Sequence, residues 1–191
     1  MVRPGRDQLN GIVQVDEIYV GAPEEGVHGR ETETKAIVAV AAEKNGRGTG
    51  RIRLRRIIDV SAASLVPFVK EAVTPGSVIH TDGWSGYSGL EKAGYKHEIT
   101  VVSRCEELAH EVLPRVHMVA SHLKRWLLGT HQGGVQHKHL DFYLDEFTFR
   151  FNRRRSNARG LLFHRLAQQA VAIDPVPYRA IVRTKDRCAS R

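Results

Sequence analysis

The sequence predicts an α/β fold, a mixed five-stranded sheet flanked by helices and followed by a helical C-terminal part. Three observations predict it. Three segments rich in β-branched residues open the chain, each bounded by glycine signals. Two short apolar segments then alternate with helical patterns, and beyond about residue 112 the periodicity is helical throughout. A length of 191 residues suits one domain with a sizeable core. The reading divides it into a short lead over residues 1–10, a domain over 11–175 and a basic tail over 176–191.

The elements follow in order. "GIVQVDEIYVG" reads as the first strand; "TKAIVAVAAEK" and "RIRLRRIIDV" read as the second and third, joined by "NGRGTG", whose Asn-Gly pair marks a tight turn. These three suit an antiparallel meander. "SAASLVPFVKEAV" reads as a helix capped by Ser61, with Leu65, Val66, Phe68, Val69 and Val73 apolar and Pro67 in or near its first turn. "SVIHTD" is a fourth strand, "GWSGYSGLEKAG" a turn and helix, and "KHEITVV" a fifth strand. Pro114 starts a helix running to about Leu128, with Val116, Val119, Ala120, Leu123 and Leu127 on its apolar stripe. "HLDFYLDEFTFRFNRR" places Leu140, Tyr143, Leu144, Phe147 and Phe151 at helical spacing, and "GLLFHRLAQQAV" makes the last helix. This order of elements is that of a ribonuclease H-like sheet.

Composition narrows the partner. The 29 Lys and Arg against 21 Asp and Glu leave a formal charge of +8, which favours a polyanion, because cations that neutralise phosphates release condensed counterions. The two cysteines, Cys105 and Cys188, cannot make a thiolate metal cluster, and they suit a reducing compartment. The longest apolar run, "AIVAVAA", is far short of the ~20 residues a membrane span needs. Residues 1–10 lack the apolar core of a signal peptide. A soluble cytoplasmic protein is expected.

Two carboxylates stand out. Asp16 interrupts an apolar strand, where it either faces solvent beside Gln14 or is paired or cation-bound, since a carboxylate buried alone is costly. Asp82 ends the fourth strand, either as the N-cap of the helix that follows or as a ligand. In a sheet whose first and fourth strands are neighbours, the two meet within reach of one hard cation such as Mg2+, which needs only one or two carboxylates beside substrate phosphates. A third ligand would come from a later helix. On the helix opening at Pro114, residues 117, 121, 124 and 128 share a stripe, so His117 and Lys124 project the same way. An imidazole can ligate a metal, and a Lys can hold a phosphate as a point charge. A surface or packing role is the alternative for His117.

Four of these segments, "VQVDEIYVG", "IHTDGWSGY", "LKRWLLGTHQG" and "HLDFYLDEFTFRFNRR", together resemble the catalytic domain of bacterial insertion-sequence transposases of the ISXO-like type, in the ribonuclease H-like DDE superfamily. The resemblance runs over residues 11–171. It implies a DNA transposase that cleaves strands and transfers them with Mg2+ or Mn2+, through two ions, acting on element ends and target DNA as a homo-oligomer. By the same resemblance Asp16 and Asp82 match the first two metal-binding aspartates. The third acidic position, seven before the Lys of the "LKR" motif, is occupied by His117 ahead of Lys124. Glu107, Glu111 and Glu146 are the alternative third carboxylates, although Glu146 has Arg150 four residues on as an ion-pair partner. Relatives carry an N-terminal zinc ribbon and helix-turn-helix region that these residues lack. That keeps two other readings open, a non-catalytic DNA-binding remnant and a stand-alone ribonuclease H-like nuclease.

Basic residues extend the picture. Lys124, Arg125, Arg153, Arg154 and Arg155 are read as DNA-phosphate contacts, with a solvated helix end as the alternative for the arginine run. Trp84 and Tyr87 either stack on a flipped base or splayed strand end or, in the favoured reading, pack the helix against the sheet. "HQGGVQHKH", with His131, His137 and His139, has no ordered zinc spacing and reads as a loop.

Overall fold

In a computed structural model that describes residues 6–21, 34–100, 112–132 and 135–179, strand β1 (Ile12–Val20) lies at the centre of the sheet. β2 (Ala36–Asn45) and β3 (Gly48–Ile57) continue from it as an antiparallel meander, while β4 (Val78–Thr81) and β5 (Lys96–Ile99) add in parallel on its other side. The order is β3-β2-β1-β4-β5. The fold is ribonuclease H-like, as the element order predicts. The chain beyond residue 100 of the fifth strand, both cysteines, and Glu107 and Glu111 lie outside the described residues, as does most of the basic tail.

Period-two alternation sorts the strands into two faces. On β2, Ile37, Ala39 and Ala41 join one core while Ala36, Val38, Val40 and Ala42 join the other. The unbroken apolar run is therefore a strand covered on both sides rather than a half-exposed one. One face receives α1 (Ala62–Ala72), which buries Leu65, Phe68, Val69 and Ala72 against Val13, Val15 and Ile79. The other receives α2 (Pro114–His131) and α3 (His137–Asn152), which pack against Ile18, Ile52 and Leu54. The five residues buried on α2 are the five of the predicted stripe. On α3 the stripe gains Thr148, and Tyr143 is only partly buried.

Several boundaries differ from expectation, each for a local reason. Pro67 sits in the second turn of α1, past the first-turn position assigned to it. The Ser61 side chain does not cap α1; it donates to Asp59 Oδ1 at 2.6 Å, as does Ser64 Oγ at 2.7 Å, so Asp59 organises the helix start. These donors hold the Asp59 carboxyl below its usual range. The segment 83–94 forms no α-helix. It is a 3-10 turn (Ser85–Tyr87) and further turns, packed so closely on the Val60 carbonyl that a Cβ at Gly86 could not fit. α2 runs through Gly129 to His131 and stops where Gln132 turns left-handed at φ 51°. His137 and His139 open α3 instead of lying in a loop, and the His131 ring packs 4.1 Å from Tyr143. The last helix, α4 (Arg159–Val171), buries none of its residues. Among the described residues no helix is long and apolar enough to cross a membrane.

Candidate active site

Alternation along β1 assigns the carboxylates of its centre to opposite faces. Val13 and Val15 belong to the α1 core and Ile18 to the α2–α3 core, so Glu17 points toward α1 and Asp16 toward α2. The parallel pairing of β1 with β4 matches Gln14 to His80. The ladder ends at that pair and β4 at Thr81, so Asp82 follows the strand end; both Asp16 and Asp82 lie near enough to the Tyr87 hydroxyl to act on it. Both side chains are half-buried. Each accepts a backbone N–H at its own turn of chain, Asp16 Oδ1 from Glu17 at 2.9 Å and Asp82 Oδ1 from Trp84 at 3.0 Å. The helix cap expected of Asp82 is replaced by a turn contact, since no α-helix follows and its Oδ1 accepts the Trp84 N–H.

The face that carries Asp16 also receives the first turn of α2. Arg115 N–H donates to Gln14 Oε1 at 2.9 Å, two residues before Asp16 on the same face of β1. His117 is half-buried in that turn, and Lys124, exposed, is seven residues, or ~10 Å, further along the helix. Among the described residues no group of three His, Cys, Asp or Glu side chains is spaced to hold a metal ion. Glu146 is engaged by Arg150, with Nε to Oε1 at 2.8 Å, as its i,i+4 position suggests.

Sequence reasoning took Glu17 only as the neighbour of Asp16, yet it is 7% exposed and accepts a hydrogen bond from the Tyr87 hydroxyl at 3.0 Å. Its signal was available, as a carboxylate at an inward position of an apolar strand. Tyr87 is itself fully buried. Burial first, then Glu17, Asp16 and Asp82, push its hydroxyl well above the usual value of 10, so it stays a neutral donor. The bridge ties β1 to the turn that follows Asp82. Trp84 packs as well, its indole N–H donating to Val60 O at 2.8 Å. Beside them, burial lowers His80 and His97 below their ordinary values; His80 Nε2 meets Thr100 Oγ1 at 2.7 Å and His97 Nε2 meets Thr81 Oγ1 at 2.9 Å.

α3 ends at Asn152, and the arginine run after it is divided between two clefts, Arg153 lining one and Arg154 and Arg155 the other. Arg153 lies 3.9 Å over the Phe149 ring and lines a cleft with Arg6, Arg53 and Arg165. Arg154 lies 3.9 Å over Phe151 and donates to the carbonyls of Phe151, Thr49 and Gly50, stitching α3 to the β2–β3 hairpin. Arg155 and Arg125 remain exposed beside a second groove.

With this geometry in view, comparison with known families is decisive: residues 8–152 match the family described as ISXO2-like transposase domain. The chain belongs to that family. The match in this transposase domain stops before α4, short of the 171 to which the sequence resemblance extended. An uncharacterized transposase-like protein of Haemophilus influenzae is 29% identical over 94 residues, spanning 49% of this chain and 75% of that protein. Among solved structures, a chain of the simian T-cell lymphotropic virus intasome in complex with PP2A regulatory subunit B56 gamma is similar with a TM-score of 0.49 and 13% identity over 75% of this chain. The transposase domain spans about half of that chain, 48%. The HTLV-2 integrase catalytic core domain in complex with magnesium, in its dimeric form, gives a TM-score of 0.44 and 14% identity, covering 78% of this chain and 90% of that one.

Proposed function

We propose that this transposase domain cleaves and joins DNA strands in a metal-dependent reaction, with Asp16 and Asp82 as its paired carboxylates. The observation that supports the reading is the parallel pairing of β1, which carries Asp16, with β4, which Asp82 follows, in a chain of a transposase family. Their oxygens suit a hard divalent cation, Mg2+ or Mn2+, and His117 on the overlying turn of α2 is the candidate third donor. When bound, two such ions would activate the attacking oxygen and stabilise the leaving one. The protein's part is to hold those carboxylates in place. The Glu17–Tyr87 bridge fixes the turn after Asp82, and Lys124 contacts a backbone phosphate of the strand as a point charge. Water would first attack the phosphodiester at the element end, releasing a 3′-OH. That hydroxyl would then attack a phosphodiester of target DNA, each step an in-line displacement. Arg125 and Arg155 supply further phosphate contacts, and the working form is a homo-oligomer that brings two element ends together.

An imidazole in place of a third carboxylate favours one second reading, a DNA-binding domain that no longer cleaves. Strand transfer on element-end oligonucleotides, measured with Mg2+ or Mn2+, separates the two. The wild type is expected to join strands and Asp82→Asn to lose the activity while keeping DNA affinity. Equal activity in both refutes the catalytic assignment, and DNA binding without any strand transfer by the wild type establishes the second reading.

A further inference from the structure

The groove between α2 and α3 has a chemistry that the carboxylate site leaves unexplained. It has a volume of about 700 Å³, within the range of small-ligand clefts, and it opens beside the tip of the β2–β3 hairpin. Its floor is apolar, made by Met118, Trp126, Phe147 and Phe151, with the Trp126 and Phe147 rings 5.7 Å apart. Its rim is cationic, and no carboxylate lines it.

Some rim cations are already committed. Arg150 holds Glu146, Arg154 holds hairpin carbonyls, and Arg115 Nε donates to Gly48 O at 3.2 Å. Arg47, Arg125 and Arg155 are exposed and form no ion pair among the described residues. Three uncommitted guanidinium groups around an aromatic floor match an anion that also has a flat apolar face. In duplex DNA the base faces are stacked away, and a backbone alone would use the rim and leave the floor empty. A base released from pairing offers both parts at once.

We infer that the α2–α3 groove receives an unpaired stretch of DNA, one base lying on Trp126 and Met118 and the flanking phosphates meeting Arg47, Arg125 and Arg155. This deepens the DNA-directed reading above and rests on it for the class of ligand. It places unpaired DNA against a face of α2 that runs from Pro114 and Arg115 through Met118 to Trp126.

The test is binding in EDTA, where no metal-dependent cleavage proceeds. A 15-nucleotide single strand and a duplex of the same sequence are titrated by anisotropy, with tryptophan emission followed in Trp84→Phe, which leaves Trp126 as the single tryptophan. The single strand is expected to bind more tightly than the duplex and to quench Trp126. The double variant Arg47→Ala/Arg125→Ala is expected to weaken the single strand about tenfold and flatten the salt dependence. Lys44→Ala, exposed on the same hairpin but outside the groove, is expected to bind as the wild type does. Both arginines are exposed, so their loss leaves the core intact even if Trp84→Phe proves unstable. Equal affinity for duplex, or single-strand binding unchanged in the double variant, overturns the inference. Loss of strand transfer with groove binding intact would count against the catalytic reading alone; strand transfer by a protein whose single-strand affinity ignores Arg47 and Arg125 would count against the groove alone.

Discussion

Replacing Tyr87 by Phe removes one oxygen from a fully buried side chain and nothing else of its shape. The ring keeps its place in the α1 core with Leu65 and Leu90. What is lost is the 3.0 Å hydrogen bond to Glu17, whose carboxylate is 7% exposed and cannot take water in exchange. A bond to a charged acceptor is worth roughly 1.5–3 kcal/mol, and leaving a buried partner short of a donor costs a similar amount. Taking ~2 kcal/mol, and ~2–4 °C per kcal/mol for a domain of this size, Tm should fall by roughly 4–8 °C. Thermal unfolding followed by circular dichroism at pH 7.5 reads this directly. A second signature has the opposite pH sense from acid effects. In the wild type the folded Tyr87 retains its proton while the unfolded one releases it near 10, so stability falls as pH rises above about 10. Tyr87→Phe should lack that component of the decline. The same variant should lower strand transfer, because the turn carrying Asp82 loses its tie to β1. An unchanged Tm would refute the reasoning, since no buried carboxylate could then have depended on that hydroxyl.

Two further outcomes are expected. His80 and His97 are held neutral by burial, so the unfolded chain takes up their protons first and stability should decline as pH drops below about 6.5. Urea midpoints between pH 8 and 5 check this, and a flat profile would contradict it. Gly50→Ala would put a Cβ 2.8 Å from Glu43 Oε2, displacing the carboxylate that binds Arg51 at 3.0 Å and the Asn10 N–H at 3.1 Å. Proteolysis of the β2–β3 hairpin should speed up, whereas Gly46→Asn, with open space around it, should leave the rate near that of the wild type.

The parts of the fold that were legible in the sequence are those set by periodicity. The α2 stripe from Val116 to Leu127 was readable because every buried position follows the helical repeat, and the two-sided burial of β2 because seven successive residues are apolar. The adjacency of β1 and β4 was readable from element order. What escaped depends on contacts between distant residues. The 83–94 segment has helical residues, yet it forms a 3-10 turn and further turns packed on the Val60 carbonyl. Glu17 and Tyr87 are 70 positions apart, and neither residue alone announces the bond. Arg153, Arg154 and Arg155 are contiguous in sequence, but past the end of α3 Arg153 lines one cleft and Arg154 and Arg155 another.

The parallel pairing of β1 with β4 also has a temporal side. Asp16 and Asp82 are 66 positions apart (82 − 16), and β2, β3 and α1 all lie between them. Such a non-local pair forms only after the intervening loop is closed, a slow step relative to helix formation or the folding of a hairpin. A chain emerging from the ribosome presents Asp16 on a nearly finished meander while Asp82 is still being synthesised. Truncated products and misfolded chains that never dock β4 hold one carboxylate of the pair. Under the proposed assignment of Asp16 and Asp82, the capacity to cut DNA would be confined to molecules whose sheet is complete.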